Sequence, residues 1–191
     1  MIDAHLAQNI HTELEASSRV FGDFQKHSKL QCPPECGKCC FKPDLSCNPY
    51  ELIPLAFYLV EKNHAEDILE RAKNNIGRPC VLLEMKDETS GKGRCGHYSY
   101  RPFVCRAFGV AGRVAKNESV ELSVCRELKL DAHYQSSEFI RLTSENVPLL
   151  EVFKKRLESI DPKLLEEEIP INEAIIFILE KVLLWKSYQE S

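Results

Sequence analysis

The sequence has no long hydrophobic run and no basic tract. Its most apolar stretches, Leu55 to Val60 and Ala174 to Leu179, fall far short of the roughly 18 residues that suggest a membrane span. The net charge is only -4 and the signs are mixed, so no Lys/Arg stripe marks a nucleic-acid surface. Internal repeats and low-complexity linkers are absent, which excludes a solenoid and argues against disorder. No glycine-rich turn follows a strand pattern, and no Ser-His-Asp order is present, so neither a nucleotide-type cofactor nor a triad hydrolase is indicated. The opening Met1-Ile2-Asp3-Ala4-His5 carries an acid and leads into no apolar leader, from which a cytoplasmic protein is expected.

Cysteine, by contrast, is abundant. There are nine in 191 residues, alongside 43% apolar and 28% charged residues. That length and balance fit one globular core. In a reducing compartment, an odd number of clustered thiols points to metal binding or redox chemistry more than to disulfides.

The head of the array is Cys32-Pro33-Pro34-Glu35-Cys36-Gly37-Lys38-Cys39-Cys40. Two thiolates separated by two residues reach one ion with little backbone strain. Pro33 and Pro34 stop regular structure before them, and Gly37 permits a tight turn. Adjacent Cys39 and Cys40 are hard to aim at one ion; either they serve two metals, or one ligates while the other packs. Cys80, Cys95, Cys105 and Cys125 follow. Without Cys47, eight thiols remain, the number needed for two tetrahedral zinc sites or two iron-sulfur clusters. Softness excludes magnesium and calcium. Cys47 is read as a small buried hydrophobe. His97 and His133 are the alternative nitrogen ligands.

Around these residues the pattern is helical. Leu6, Ile10, Leu14, Ser17, Phe21 and Phe24 form one stripe of a helix over 4–27. Asn48, Pro49 and Glu51 read as N-cap, first position and N3 of a helix running to about Lys62, bent early at Pro54. A short helix is expected from about Ala65 to Asn74, stopped by Asn75 and Gly77. Val81-Leu82-Leu83 reads as a strand and Asp87 to Gly93 as a turn-rich link. Val110 to Val114 and Val120 to Val124 would pair around Lys116-Asn117-Glu118. In this irregular part, metal bonds are expected to replace some of the work of a core. Amphipathic helices follow over Val147 to Ile160 and Ile171 to about Tyr188. The expected fold is mainly α with a small irregular β element, a cysteine-rich metal-centred domain framed by terminal helices. Its expected divisions are an N-terminal helix in 1–31, the cysteine-cluster domain in 32–130, and a C-terminal helical region in 131–191.

The distal block Gly93-Arg94-Cys95-Gly96-His97-Tyr98-Ser99-Tyr100-Arg101-Pro102-Phe103-Val104-Cys105-Arg106-Ala107-Phe108, with the cysteine head, resembles the YkgJ-like cysteine-cluster family. That family has a CxxCxxCC head and a Gly-x-Cys-x-x-Tyr-x-x-Arg-Pro-x-x-Cys-Arg-x-Phe block, and is described as zinc- or iron-chelating. The resemblance covers roughly residues 32 to 126. It implies that Cys36, Cys39, Cys40, Cys80, Cys95 and Cys105 are metal ligands, and Cys125 matches a later cysteine of some relatives. Cys32 departs from the pattern, being three residues from Cys36 where the family has two. Arg101 and Arg106 could either offset thiolate charge or make ordinary salt bridges. Tyr98 and Phe108 are expected to pack over the site.

The expected function is chelation of zinc or iron, an iron-sulfur cluster included, in a structural or redox role. Two alternatives stand beside it. One is a metallocluster-dependent modifying enzyme, because some relatives are described as flagellin lysine methylases. The other is a metal or redox sensor. The radical-enzyme spacing is matched only superficially at 32–39, and the barrel that accompanies it does not fit this length. No nucleic-acid or membrane partner is expected, and a protein partner is left open.

Overall fold

The computed structural model describes residues 2–30, 32, 33, 35–87, 89–116, 118–130, 134 and 147–189. The architecture is mainly helical, with short antiparallel strand pairs and a long helix at each end. Helix α1 spans Ala4–Ser28 and opens on Asp3, whose carboxylate accepts from the Leu6 amide at 2.8 Å. Of the expected stripe, Ile10, Leu14, Ser17, Phe21 and Phe24 are buried and Leu6 is half-buried. Helix α2 (Ile53–Glu61) and helix α3 (Ala65–Lys73) follow. Asn48 caps as expected, but the segment it starts is a 3-10 turn, Pro49–Leu52, and the α-helix begins only at Ile53 beside Pro54.

The β structure is three separate two-stranded ladders among the described residues. Strand β1 (Ser46–Cys47) pairs with β6 (Ile169–Pro170), joining the loop after the cysteine head to the start of the last helix. Strand β2 (Leu83–Asp87) pairs with β3 (Lys92–Cys95). Strand β4 (Gly112–Val114) pairs with β5 (Val120–Leu122), the expected hairpin in shorter form. The expected strand at Val81-Leu82-Leu83 begins at Leu83 instead; Val81 and Leu82 are buried turn residues. Their apolar run records burial, not extension.

Helix α4 (Phe103–Ala107) and α5 (Arg126–Lys129) are each little more than one turn. Helix α6 (Leu150–Ile160) and the long α7 (Ile171–Gln189) close the fold. One core joins the chain ends. Ile10 and Leu14 of α1, Leu52 to Leu59 around α2, and Ile175, Ile178, Leu179 and Val182 of α7 belong to one buried cluster. Phe21 stacks obliquely on Phe103 and Phe153 at 5.7 and 4.8 Å, fixing α4 and α6 against α1.

Candidate metal centre

The cysteine head is a pair of consecutive turns. The Cys36 amide donates to Pro33 O at 3.1 Å, and the Cys40 amide donates to Gly37 O at 2.8 Å. Cys36 bridges Lys92, and the Gly93 amide donates to Glu35 O at 2.9 Å, so the head adds to the edge of the β2–β3 hairpin. Gly37 permits that approach, since a Cβ there would meet Leu83 Cδ1 at 3.1 Å and Gly93 O at 3.3 Å, and Gly93 lets β3 lie close to β2, where a Cβ would meet Glu84 O at 2.8 Å. The Cys80 amide donates to Cys40 O at 2.9 Å, which brings the second thiol segment against the first. Cys95 ends β3, opposite Leu83. Lys38 and Glu127 meet at 2.9 Å, tying the head to α5 and its flanking Cys125.

All nine cysteines are free thiols. All nine are joined by electrostatic links: Cys32 to Cys36, Cys39 and Cys125, Cys40 to Cys39, Cys80 and Cys105, Cys95 to Cys39 and Cys80, and Cys47 to Cys80 and Cys105. Burial first, then Cys125, Cys39 and Cys36, push the Cys32 thiol up to about 11 although the residue itself is exposed. Cys80 is pushed up to about 12, again by burial first, with Cys95 and Cys39 adding to it. Burial raises Cys105 well above the ordinary thiol range, and Cys80, Cys39 and Cys95 reinforce this. Burial also raises Cys95. Cys39 is the common neighbour of Cys32, Cys40, Cys80, Cys95 and Cys105. Cys40 donates to Cys39, which favours the Cys39 thiolate and holds Cys40 protonated. Cys47 is 1% exposed on β1, and burial raises its thiol strongly.

Backbone amides already address several of these sulfurs. Leu82 hydrogen-bonds Cys80 and His97 hydrogen-bonds Cys95, each lowering its neighbour's pKa. The Leu128 amide donates to Cys125 Sγ at 3.4 Å. Such N–H···S contacts stabilise the thiolate that a metal requires. Among the described residues, however, no three histidine, cysteine, aspartate or glutamate side chains are grouped tightly enough to hold an ion as they stand.

The two arginines of the distal block part company. Arg106 is 6% exposed and turns to α1: it donates to Leu14 O at 3.2 Å, Glu15 Oε1 at 2.8 Å and Ser18 Oγ, and back to Arg101 O at 2.7 Å and Ser99 O. It is a structural clamp with a salt bridge, and Cys105 is among the groups whose charge it feels. Arg101 donates from Nε to Tyr98 O and from Nη1 to Cys105 O, each at 3.1 Å, and its charge opposes the burial that raises Cys32, Cys95 and Cys105. Tyr98 does not shield the cluster as expected. It is 62% exposed, with the Arg101 guanidinium 3.4 Å from its ring centroid. Phe108 is half-buried at the end of α4. His97 sits edge-on to Tyr58 at 5.8 Å, and burial pushes its pKa down. His133 lies outside the described residues.

Three buried polar groups hold the cysteine-bearing loops to the helical frame, and two of them went unread in the sequence. Glu51, read there only as a first-turn acid, accepts the Phe103 amide at 2.6 Å and so caps α4, which carries Cys105. Asn172 accepts the Val81 amide at 2.9 Å and donates to Asn75 O, Arg78 O and Pro79 O, pinning the loop around Cys80. Arg106 is the third. The usable signal was a lone polar residue inside an apolar run, as at Glu51 between Tyr50 and Leu52 and at Asn172 after Ile171.

Residues 31–145 match the CxxCxxCC family, "Putative zinc- or iron-chelating domain". The chain belongs to this family, and the matched segment contains every cysteine discussed above. That description supports metal binding in general. No curated protein and no solved structure matches the chain.

Proposed function

We propose that this protein chelates zinc or iron through the thiolates of Cys32, Cys36, Cys39, Cys40, Cys80, Cys95, Cys105 and Cys125, in a structural or redox role. The observation that carries the reading is the crowding of thiols from separate stretches of chain around Cys39. Burial, with neighbouring thiols adding to it, raises Cys32, Cys80, Cys95 and Cys105 and disfavours their ionisation unless a cation arrives, whereas the bond from Cys40 favours the Cys39 thiolate. The donor set fits a soft ion: all sulfur, with amides from Leu82, His97 and Leu128 aimed at it. Bound zinc would cross-link the loops, and bound iron would add electron transfer.

What the chain itself does is hold the thiols and give up their protons when an ion binds. Asn172, Glu51 and the Cys36–Lys92 bridge each anchor a cysteine-bearing segment, the Cys80 loop, α4 and the head. Binding must then release thiol protons and draw the side chains closer than they stand here, so metal uptake is coupled to local ordering.

The test is metal content after substitution. Cys95→Ser and Cys105→Ser are expected to lose bound metal, whereas Cys47→Ser keeps the wild-type amount because its thiol is a core residue on β1. Equal loss in all three would overturn the assignment.

A further inference from the structure

Two of the thiol-bearing segments are held from beyond the matched stretch 31–145, by β6 and the first turn of α7. Asn172, 3% exposed in that turn, grips the chain on both sides of Cys80. Its Oδ1 accepts the Val81 amide at 2.9 Å, and its Nδ2 donates to Pro79 O at 3.1 Å and Asn75 O at 2.8 Å. The Cys80 amide in turn donates to Cys40 O at 2.9 Å, so the grip passes on to the end of the cysteine head. A second tie holds the chain that leaves the head. The Ile171 amide donates to Leu45 O at 2.9 Å, and Ile169 and Pro170 pair with Cys47 and Ser46.

These bonds constrain one another. A buried amide side chain without partners is costly, so Asn172 keeps the 75–81 loop in the one arrangement that satisfies it. A metal that draws the Cys40 and Cys80 sulfurs together acts on the same two stretches of backbone, 40–47 and 79–81, that residues 169–172 already hold. By linkage, a contact that favours the metal-binding arrangement is itself favoured by the metal. Farther along α7, Ala174, Ile175, Ile178, Leu179 and Val182 are buried in the helical core. The coupling therefore belongs to residues 169–172 and not to docking of the helix as a whole.

We propose that residues 169–172 are a clasp for the metal centre, with Asn172 the positioning residue for Cys80, so that metal occupancy and the clasp stabilise each other. The inference rests on the chelation reading above.

The experiment is competition for Zn²⁺ against a chromophoric chelator, using the full chain with all thiols reduced. Wild type, Asn172→Ala and Val182→Ala are compared at a temperature where far-ultraviolet circular dichroism shows each to be folded. Val182 is fully buried in the same helix, so its truncation loosens the frame without touching the clasp. Asn172→Ala is expected to bind Zn²⁺ roughly tenfold more weakly, the order lost when a group that orients a metal ligand is removed. Val182→Ala is expected to bind like wild type. Unchanged affinity in Asn172→Ala, beside a wild type that binds Zn²⁺, overturns the clasp and leaves chelation intact. Equal losses in both variants overturn it too, because general loosening of the frame would then decide. A wild type that takes up neither Zn²⁺ nor iron removes the chelation reading itself. Should Asn172→Ala not fold, amide exchange in the wild type decides: slower exchange of the Ile171 amide on adding Zn²⁺ supports the clasp, and an unchanged rate overturns it.

Discussion

Single buried polar residues decide how this chain presents its thiols. Glu51 is 7% exposed and its carboxyl is pushed up to about 7, chiefly by burial, against an ordinary value of 4.5. The folded state therefore holds this proton more tightly than the unfolded state. The stability it contributes is present in full below about pH 4.5 and is lost as pH rises through about 7, a change of about 3 kcal/mol. Glu51→Gln keeps an acceptor for the Phe103 amide and removes the charge. Denaturant midpoints at pH 5 and pH 8 are expected to converge in the variant and to fall with pH in the wild type; parallel pH profiles would contradict this. Asn172→Ala orphans the Val81 amide and carbonyls in the Cys80 loop, and urea unfolding is expected to report a loss of about 2–3 kcal/mol. Neither role was legible in sequence, since the partners lie 52 and 91 residues away. Local rules saw only a helix-start acid and an ordinary asparagine. The anchoring of Arg106 on α1 was equally hidden, because Leu14 and Glu15 lie 92 and 91 residues away.

At the scale of elements, the helices were readable because their periodicity is strong and local. The stripe from Ile10 to Phe24 and the face from Ile171 to Val182 lie buried as their spacing implies. The β2–β3 hairpin was not readable. Lys92-Gly93-Arg94-Cys95 has no apolar alternation, and its pairing depends on a glycine close to a neighbouring backbone and on the Cys36–Lys92 bridge. Gly93→Ala pushes a methyl to within 2.8 Å of Glu84 O. It is expected to loosen the hairpin and detach the head, seen as faster amide exchange over Leu83–Asp87 and Lys92–Cys95 and as weaker metal retention. Unaltered exchange in that hairpin would count against its role as the platform for Cys36 and Cys95. The short strands β1 and β6 were missed for a related reason: two-residue ladders carry no period at all.

The molecule as a whole divides its work. Ile10, Leu14, Leu52, Ile53, Leu55, Leu59, Ile175, Ile178 and Leu179 are each no more than 1% exposed, so the frame has a hydrophobic core of its own. The sequence suggests that metal bonds take over part of a core's work, and with this core in place that work is expected to concern the cysteine-bearing loops packed against it. Chelator treatment is therefore expected to leave most of the helical circular dichroism in place while amide exchange rises over 36–47 and 83–95. Collapse of the helical signal on metal removal would instead place the metal in command of the entire fold. The most direct test of the account is the metal content of the protein purified without oxygen and with its thiols reduced. The account predicts at least one zinc or iron per chain, accompanied by protection of the thiols from alkylation. Less than one metal per chain, with the cysteines alkylated at the rate of free thiols, would contradict it.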